Sequence, residues 1–194
     1  MKEYFSQFKQ YCKRYIDFLP EEFEFYEKTV DVVEVKKKDF LLKAGNVENY
    51  MYYVIEGSFR HFLVKDGKEI CTDFVFPDTM MSSFISFGSR KPSFINIQAL
   101  SNAKVMRISK VDVDVFNDFS KNSERFTRQT TEILYTQKAL REISLISTTA
   151  EERYLRLLEK YPKIEKAIAV KDLATYLGIH PESLSRIRKK VHRS

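Results

Sequence analysis

Three textures of hydrophobic and polar spacing follow one another along the chain. From Tyr4 to Tyr15, Phe5, Phe8, Tyr11 or Cys12, and Tyr15 recur at helical spacing on one face, which predicts a short amphipathic helix. Pro20-Glu21-Glu22 is a helix start leading to Phe23 and Tyr26, with proline where a first-turn N–H would lack a partner anyway. Between Thr29 and Ile108 the spacing shortens into β-rich runs (VDVVEVK, YMYYVIEG, SFRHFLVK, EICTDFVF, INIQAL, KVMRI) separated by Gly45-Asn46, Asp66-Gly67, Pro77-Asp78 and Ser101-Asn102. Many short strands broken by turn residues predict a sandwich or barrel. RHFLVKDGKEICTDFVF is a hairpin signal, because Asp66-Gly67 tolerates the positive φ angles of a type I′ turn.

After Ile108 helix formers dominate, and no glycine occurs between Ser89 and Leu177. Val111–Phe119 reads as one short helix and Ser123 to about Ile146 as a long one, with Ser123 as its N-cap. Phe126, Ile133 and Leu140 recur at seven-residue spacing on the long helix, a stripe able to pack on the barrel or on a partner helix. Thr149 with Glu152 forms a capping box for a further helix, which Pro162 ends.

Charge then sharpens the picture. The net charge is +6, and the segment from Tyr161 to Ser194 holds eight basic residues, Arg193 among them, against three acidic ones, so nearly all the excess sits at that end and points to a polyanion. No apolar run is long enough to span a bilayer and the N-terminus lacks a signal-peptide stretch, so no membrane partner and a cytoplasmic location are expected. Cys12 and Cys71 are far apart without a CxxC, and two buried reduced thiols are expected.

The basic end carries a recognisable arrangement, VKDLATYLGIHPESLSRIRKK. Val170–Tyr176 forms a short helix with Leu173 inward and small Ala174 where two helices cross. Gly178 suits a left-handed turn, Pro181 starts a second helix, and Leu184 and Ile187 are its buried positions. Two short helices joined through a glycine turn match the helix-turn-helix, whose second helix enters the major groove of double-stranded DNA. Arg186 can donate two hydrogen bonds to a guanine edge and Glu182 can accept from a cytosine amino group. Ser183, Arg188, Lys189 and Lys190 suit phosphate contacts, and His180 and Lys171 complete the candidate DNA-binding set.

Beyond these residues the chain resembles the Crp/Fnr family over nearly its whole length. AGNVENYMYYVIEGSFRHFLVKDGKE is similar to the family's opening barrel strands, including Gly57 and the Asp66-Gly67 turn, and PESLSRI keeps a family-like Glu182 and Arg186. The resemblance implies an α+β chain. An N-terminal jelly-roll β-barrel of the cyclic-nucleotide-binding type (1–120) is joined by a long linker and dimerisation helix (121–147) to a C-terminal all-α helix-turn-helix domain (148–194). It further implies a homodimeric transcription regulator on a near-palindromic operator, with RNA polymerase as a further partner. Pro181 replaces the family's preceding arginine, which removes one expected DNA contact. The sequence ends at Ser194, so contacts from a following β-hairpin wing are expected to be absent.

Family members that bind cyclic nucleotides carry a Gly-Glu-Leu phosphate cassette followed by an arginine. Alignment back from Ala99 puts Ser82 and Ser83 at the Gly-Glu positions and Ser93 at the arginine, with Arg90 nearby as a substitute. A serine cannot give a phosphate the bidentate, charge-assisted bond that arginine gives. The cofactor expectation is therefore none, with cyclic nucleotide disfavoured. Phe74, Phe76, Met80, Met81, Phe84, Phe87 and Phe94 either line a pocket for an unidentified apolar or anionic effector, as an alternative sensing function would need, or simply fill the barrel. Enzyme chemistry finds no support. His61, His180 and His192 are the only histidines, two of them lie in the basic end, and no GxxxxGK[ST], GxGxxG or GxSxG motif occurs, so neither catalytic nor metal-ligating residues are expected.

Overall fold

A computed structural model describes residues Lys2–His192. Arg193, counted above in the basic end, lies outside the described residues together with Met1 and Ser194. The chain forms two compact units. One comprises residues up to His61 together with Phe74–Leu134, and the other Phe62–Asp73 together with residues from Tyr135 onward.

The first unit opens with α1 (Lys2–Lys13) and α2 (Pro20–Thr29), where Pro20 occupies the first helical turn as the sequence requires. Eight strands follow: β1 (Asp31–Val35), β2 (Phe40–Leu42), β3 (Tyr50–Glu56), β4 (Phe59–Lys65), β5 (Lys68–Val75), β6 (Thr79–Met81), β7 (Asn96–Ala99) and β8 (Ala103–Ser109). They make two four-stranded sheets in the orders β1-β8-β3-β6 and β2-β7-β4-β5. The short helix α3 (Phe84–Ser89) lies between β6 and β7, and α4 (Lys110–Phe119) and α5 (Lys121–Ser147) follow β8. β4, β5 and α5 each have residues in both units. The antiparallel jelly roll, the long helix and the helical C-terminal part are the fold class expected from sequence.

Alternation along β3 and β8 builds two cores on opposite faces of one sheet. Tyr52 and Val54 of β3 and Ala103 and Val105 of β8 point into the barrel, among Phe59, Met81 and Ile97. Tyr53 and Ile55 of β3 and Met106 and Ile108 of β8 point the other way, onto a helical layer of Phe5, Phe8, Phe18, Phe23, Tyr26, Phe116 and Phe126. Both strands are therefore apolar on both faces, and β8 lies between β1 and β3 in register, with Met106 opposite Tyr53. The outer layer is rich in rings packed edge to face, such as Tyr26 on Phe116 at 4.7 Å and Phe8 on Tyr53 at 5.3 Å between centroids. Pairs of this kind contribute about 0.5–1.5 kcal/mol beyond area burial.

Asp66 and Gly67 both adopt positive φ, 52° and 71°, as the expected hairpin turn demands. Cys12 and Cys71 are buried thiols not joined in a disulfide, and burial pushes the Cys12 thiol well above its usual range. The expected N-cap at Ser123 is corrected. The Ser120 hydroxyl accepts from the Ser123 N–H at 3.0 Å, while Ser123 is buried and donates to Asn117 Oδ1 at 2.7 Å. β2, β6 and α3 are absent from the sequence expectation because three to six residues carry too little periodicity to register.

The second unit contains α6 (Ala150–Lys160), α7 (Ile164–Ala167), α8 (Val170–Leu177) and α9 (Pro181–Val191). The Thr149 hydroxyl accepts from the Glu152 N–H and the Glu152 carboxylate accepts from the Thr149 N–H at 2.8 Å, completing the capping box. The long helix spans the segment 121–147, but the compact units divide within it, after Leu134, and residues 62–73 of the hairpin cluster with the C-terminal helices.

We predict that Gly57→Ala costs about 2–3 kcal/mol, since φ is +83° and an added Cβ would lie 2.5 Å from the Ala103 Cβ and 2.6 Å from the Asn102 carbonyl oxygen. Gly67→Ala, in open space at φ +71°, should cost about 1 kcal/mol from backbone strain alone. Urea unfolding of both variants checks the order.

Candidate functional site

α8 and α9 pack around Leu173, Ala174, Leu177 and Leu184, all at most 1% exposed. Ala174 permits the close crossing. Gly178 at φ +73° ends α8, its N–H reaching back to the last turn of α8. His180 is the extended N-cap of α9 and Pro181 its first residue. The first turn of α9 carries Glu182 and the last turn Arg188, Lys189 and Lys190.

The candidate residues separate into two groups. Arg186 and Lys189 are exposed and make no ion pair with a described residue. Glu182 and His180 are also exposed, and Ser183 is half-buried beside them. Arg188, expected at phosphate, instead turns inward, with Nε 2.6 Å from Glu165 Oε1. Lys190 pairs with Glu151 at 2.8 Å and Lys171 with Glu69 at 3.5 Å, both lysines well exposed. Arg188 is thus part of the unit's internal framework. Glu165 accepts from the Tyr154 hydroxyl and faces His192 and Arg188. Burial alone would raise its carboxyl, but the hydrogen bonds from Tyr154 and His192 and the Arg188 charge hold it below the usual range.

Arg153, not singled out from sequence, fastens this unit. Its guanidinium donates to the Leu177 carbonyl at 2.9 and 3.2 Å, to the Ser144 carbonyl at 3.3 Å and to the Thr148 carbonyl. These carbonyls lie at or just beyond the C-terminal ends of α5 and α8, where a cation also meets the negative pole of each helix. The signal available in sequence was a lone arginine on the inner face of a strongly amphipathic helix. Arg141 adds a bond to the Tyr176 carbonyl at 2.8 Å and stacks on the Tyr176 ring.

The second candidate region is the serine-lined cradle. Ser83 Oγ and Ser93 Oγ lie 2.8 Å apart, and Ser93 also donates to the Ile95 carbonyl. Ser82 Oγ donates to the Tyr50 carbonyl at 3.0 Å. All three serines are buried. Arg90, at φ 59° on the C-terminal end of α3, donates to the Glu48 carbonyl at 2.6 Å and to Asn49 Oδ1. Glu48, also missed from sequence, is 1% exposed and accepts from the Tyr50 N–H and the Tyr52 hydroxyl, and burial pushes its carboxyl up. Of the four expected residues, Ser83 and Ser93 bond to each other, whereas Ser82 bonds to the Tyr50 carbonyl and Arg90 to Glu48 and Asn49. The three serines carry no charge; the ionisable groups beside them are Arg90 and Glu48, whose Oε2 is buried without a hydrogen-bond partner. The apolar residues expected to line the same pocket divide: Met81 lies in the barrel core, Met80, Phe84 and Phe87 border a cavity on the outer face of the sheet, and Phe94 is exposed.

Of the three stripe residues on α5, Phe126 belongs to the chain's own aromatic core, which corrects its expected place at a dimer seam, whereas Ile133 and Leu140 are exposed.

Residues 32–118 match the cyclic nucleotide-binding domain. The global regulator CLP of Xanthomonas campestris, described as c-di-GMP responsive, superimposes with a TM-score of 0.68 at 15% identity, covering 89% of this chain and 91% of that one. A protein from Eubacterium rectale assigned to the Crp/Fnr family gives 0.70 at 16%, covering 91% and 84%. FixK2 from Bradyrhizobium japonicum gives 0.71 at 20%, covering 84% and 85%. The chain has the Crp/Fnr fold. No curated protein matches it by sequence. At these identities the Crp/Fnr likeness is one of architecture, and any function has to be argued from the residues above. No described helix is long and apolar enough to cross a membrane.

The Glu165 cluster makes a pH prediction. A carboxyl held low in the folded state contributes stability that is present above its ordinary value of 4.5 and lost as pH falls through the folded value. The C-terminal helices should therefore loosen below about pH 4.5, and Glu165→Gln should flatten that acid limb; hydrogen exchange of the α6–α9 amides against pH reads both.

Proposed function

We propose that the chain is a sequence-specific transcription regulator that binds double-stranded DNA as a homodimer, with α9 in the major groove. The observation that carries this reading is the outer side of α9. Arg186 and Lys189 stand exposed and free of ion pairs with described residues, next to an acidic first turn at Glu182, while Arg188 is committed inward. Arg186 reads a guanine edge and Glu182 a cytosine amino group; Lys189, Lys190 and Ser183 hold phosphates. The Crp/Fnr fold supports this by analogy, as do the regulators that share it. Dimerisation runs through the outer side of α5, where Ile133, Leu140, Ile143 and Ile146 are exposed and Leu140 and Ile146 are 61% and 83% accessible. Apolar side chains left this open along a 27-residue helix favour a partner helix. Control by a cyclic nucleotide monophosphate is not part of the proposal, because Ser83 and Ser93 close on each other where such a ligand would need charge.

Selection from a randomised duplex pool at two salt concentrations tests the reading. A near-palindrome with half-sites about 34 Å apart is expected; retention without sequence enrichment at either salt overturns sequence-specific recognition. Arg186→Ala should relax preference at one base position, costing about 1–3 kcal/mol, while Lys189→Ala weakens all sequences alike and lowers the salt slope by about one. Uniform loss from both would remove the base-reading role of Arg186. Leu140→Glu should sediment as a monomer at micromolar concentration where the parent is a dimer.

A further inference from the structure

Glu22 and Glu48 are both buried in the first unit, but their carboxyls are held in opposite ways. Glu22 of α2 has both carboxylate oxygens bonded. Oε1 accepts from the Ser120 hydroxyl, and Oε2 accepts from the Leu19 N–H at 2.7 Å and from Asn122 Nδ2 at 3.0 Å. Burial raises its carboxyl, but these bonds outweigh burial and hold it below the usual range. Glu48, in the loop between β2 and β3, is bonded on one side only. Oε1 accepts from the Tyr50 N–H at 3.0 Å and the Tyr52 hydroxyl at 3.2 Å, while Oε2 is buried without a hydrogen-bond partner. Burial pushes this carboxyl up and outweighs Tyr50, Tyr52 and the Ser83 and Asn49 N–H groups, the last two acting at longer range.

The cations nearby do not repair the deficit. Arg90, at the end of α3, gives its guanidinium to the Glu48 carbonyl and to Asn49 Oδ1. Arg107 of β8 stacks on the Tyr50 ring and acts on Tyr52, with Nη2 3.4 Å from Asp31. Lys43 and Lys91 are exposed. Tyr50 and Tyr52 are the titratable neighbours on β3. A buried carboxylate in this setting is costly, and a neutral carboxyl far less so.

The main chain of the same residue is a clamp. Its N–H donates to Ser86 Oγ of α3 at 2.9 Å, and its carbonyl accepts from Arg90 Nη1 at 2.6 Å, so the loop grips α3 at its middle and just past its end. Ser86 is itself buried and donates onward to the Lys91 carbonyl. Water reaches Oε2 only if residue 48 leaves the interior, and leaving breaks both grips.

We propose that Glu48 is a proton-controlled latch: its neutral carboxyl stays inside and lets the β2–β3 loop clamp α3, whereas its carboxylate draws the loop outward and loosens both. A carboxyl raised in the folded state contributes stability that is fully present below its ordinary value of 4.5 and lost as pH rises through the folded value. This is the reverse of the Glu165 cluster, which loosens toward acid, and it is independent of the DNA-binding reading.

Hydrogen exchange of the full chain between about pH 5 and pH 9, corrected for the intrinsic pH dependence of exchange, tests the latch. Protection of residues 43–49 and 84–91 should fall together by about tenfold or more as pH rises, while β8 keeps its protection. Glu48→Gln, which stays neutral, should hold both segments at the parent's low-pH level throughout. Tyr52→Phe removes a hydrogen bond that favours the charged form, so it should move the fall upward by about one pH unit. If Glu48→Gln fails to fold, Tyr52→Phe carries the test. A flat parent overturns the latch, as does an equal fall in Glu48→Gln or an unmoved or lowered midpoint in Tyr52→Phe. Loosening of one segment without the other overturns the clamp, and an equal fall in β8 overturns its local character.

Discussion

In one sheet of this protein the two inner strands are buried on both faces over most of their length, and much of the first unit depends on that constraint. β3 and β8 are the inner strands of β1-β8-β3-β6, and each must satisfy two cores at once. A period-two pattern normally divides apolar from polar. Here it divides one apolar set from another: Tyr52, Val54 and Val105 inward, Tyr53, Met106 and Ile108 outward. A one-residue slip of β8 against β3 would exchange these sets, sending Met106 into a barrel packed for Val105. Register therefore has to come from fit rather than from polarity. The sharpest device enforcing it is Gly57, whose backbone passes so close to Asn102 and Ala103 that no Cβ can stand there.

The outward face has a consequence for α1, α2, α4 and α5, whose apolar faces form the aromatic layer that covers it. Phe126 is consumed in that layer, ringed by Tyr11, Tyr15 and Phe18. This is why the seven-residue stripe of α5 cannot act as one continuous seam. Its first member faces the chain's own sheet, and its later members, Ile133 and Leu140, do not. The same helix thus changes partner along its length.

Much of this was legible in the sequence, and the parts that were not fail for identifiable reasons. The hairpin at Asp66-Gly67, the Thr149 capping box, the Gly178 turn and the Pro181 start are local chemistry, read within four residues, and the structure has each of them. The misplaced cap at Ser123 was also local, but Ser120 three residues earlier offers the same hydroxyl, and tertiary contact with Asn117 decided between them. Arg188 was read as outward because nothing along α9 opposes it. Its partner Glu165 is 23 residues away, across α8, and no periodicity links the two. Arg153 was silent for the same reason, since its acceptors are backbone carbonyls with no sequence signature. The DNA-binding set shrinks accordingly toward Arg186 and Lys189, the side chains that no described acid claims.

The serine cradle shows how hydroxyls settle once they are buried. Ser83 and Ser93 are two hydroxyls that must find partners once buried; they take each other at 2.8 Å, and Ser93 also reaches the Ile95 carbonyl. Arg90 settles differently: its bonds to the Glu48 carbonyl and Asn49 draw the guanidinium onto the loop that precedes β3, so a charge placed near the serines is spent on backbone shape.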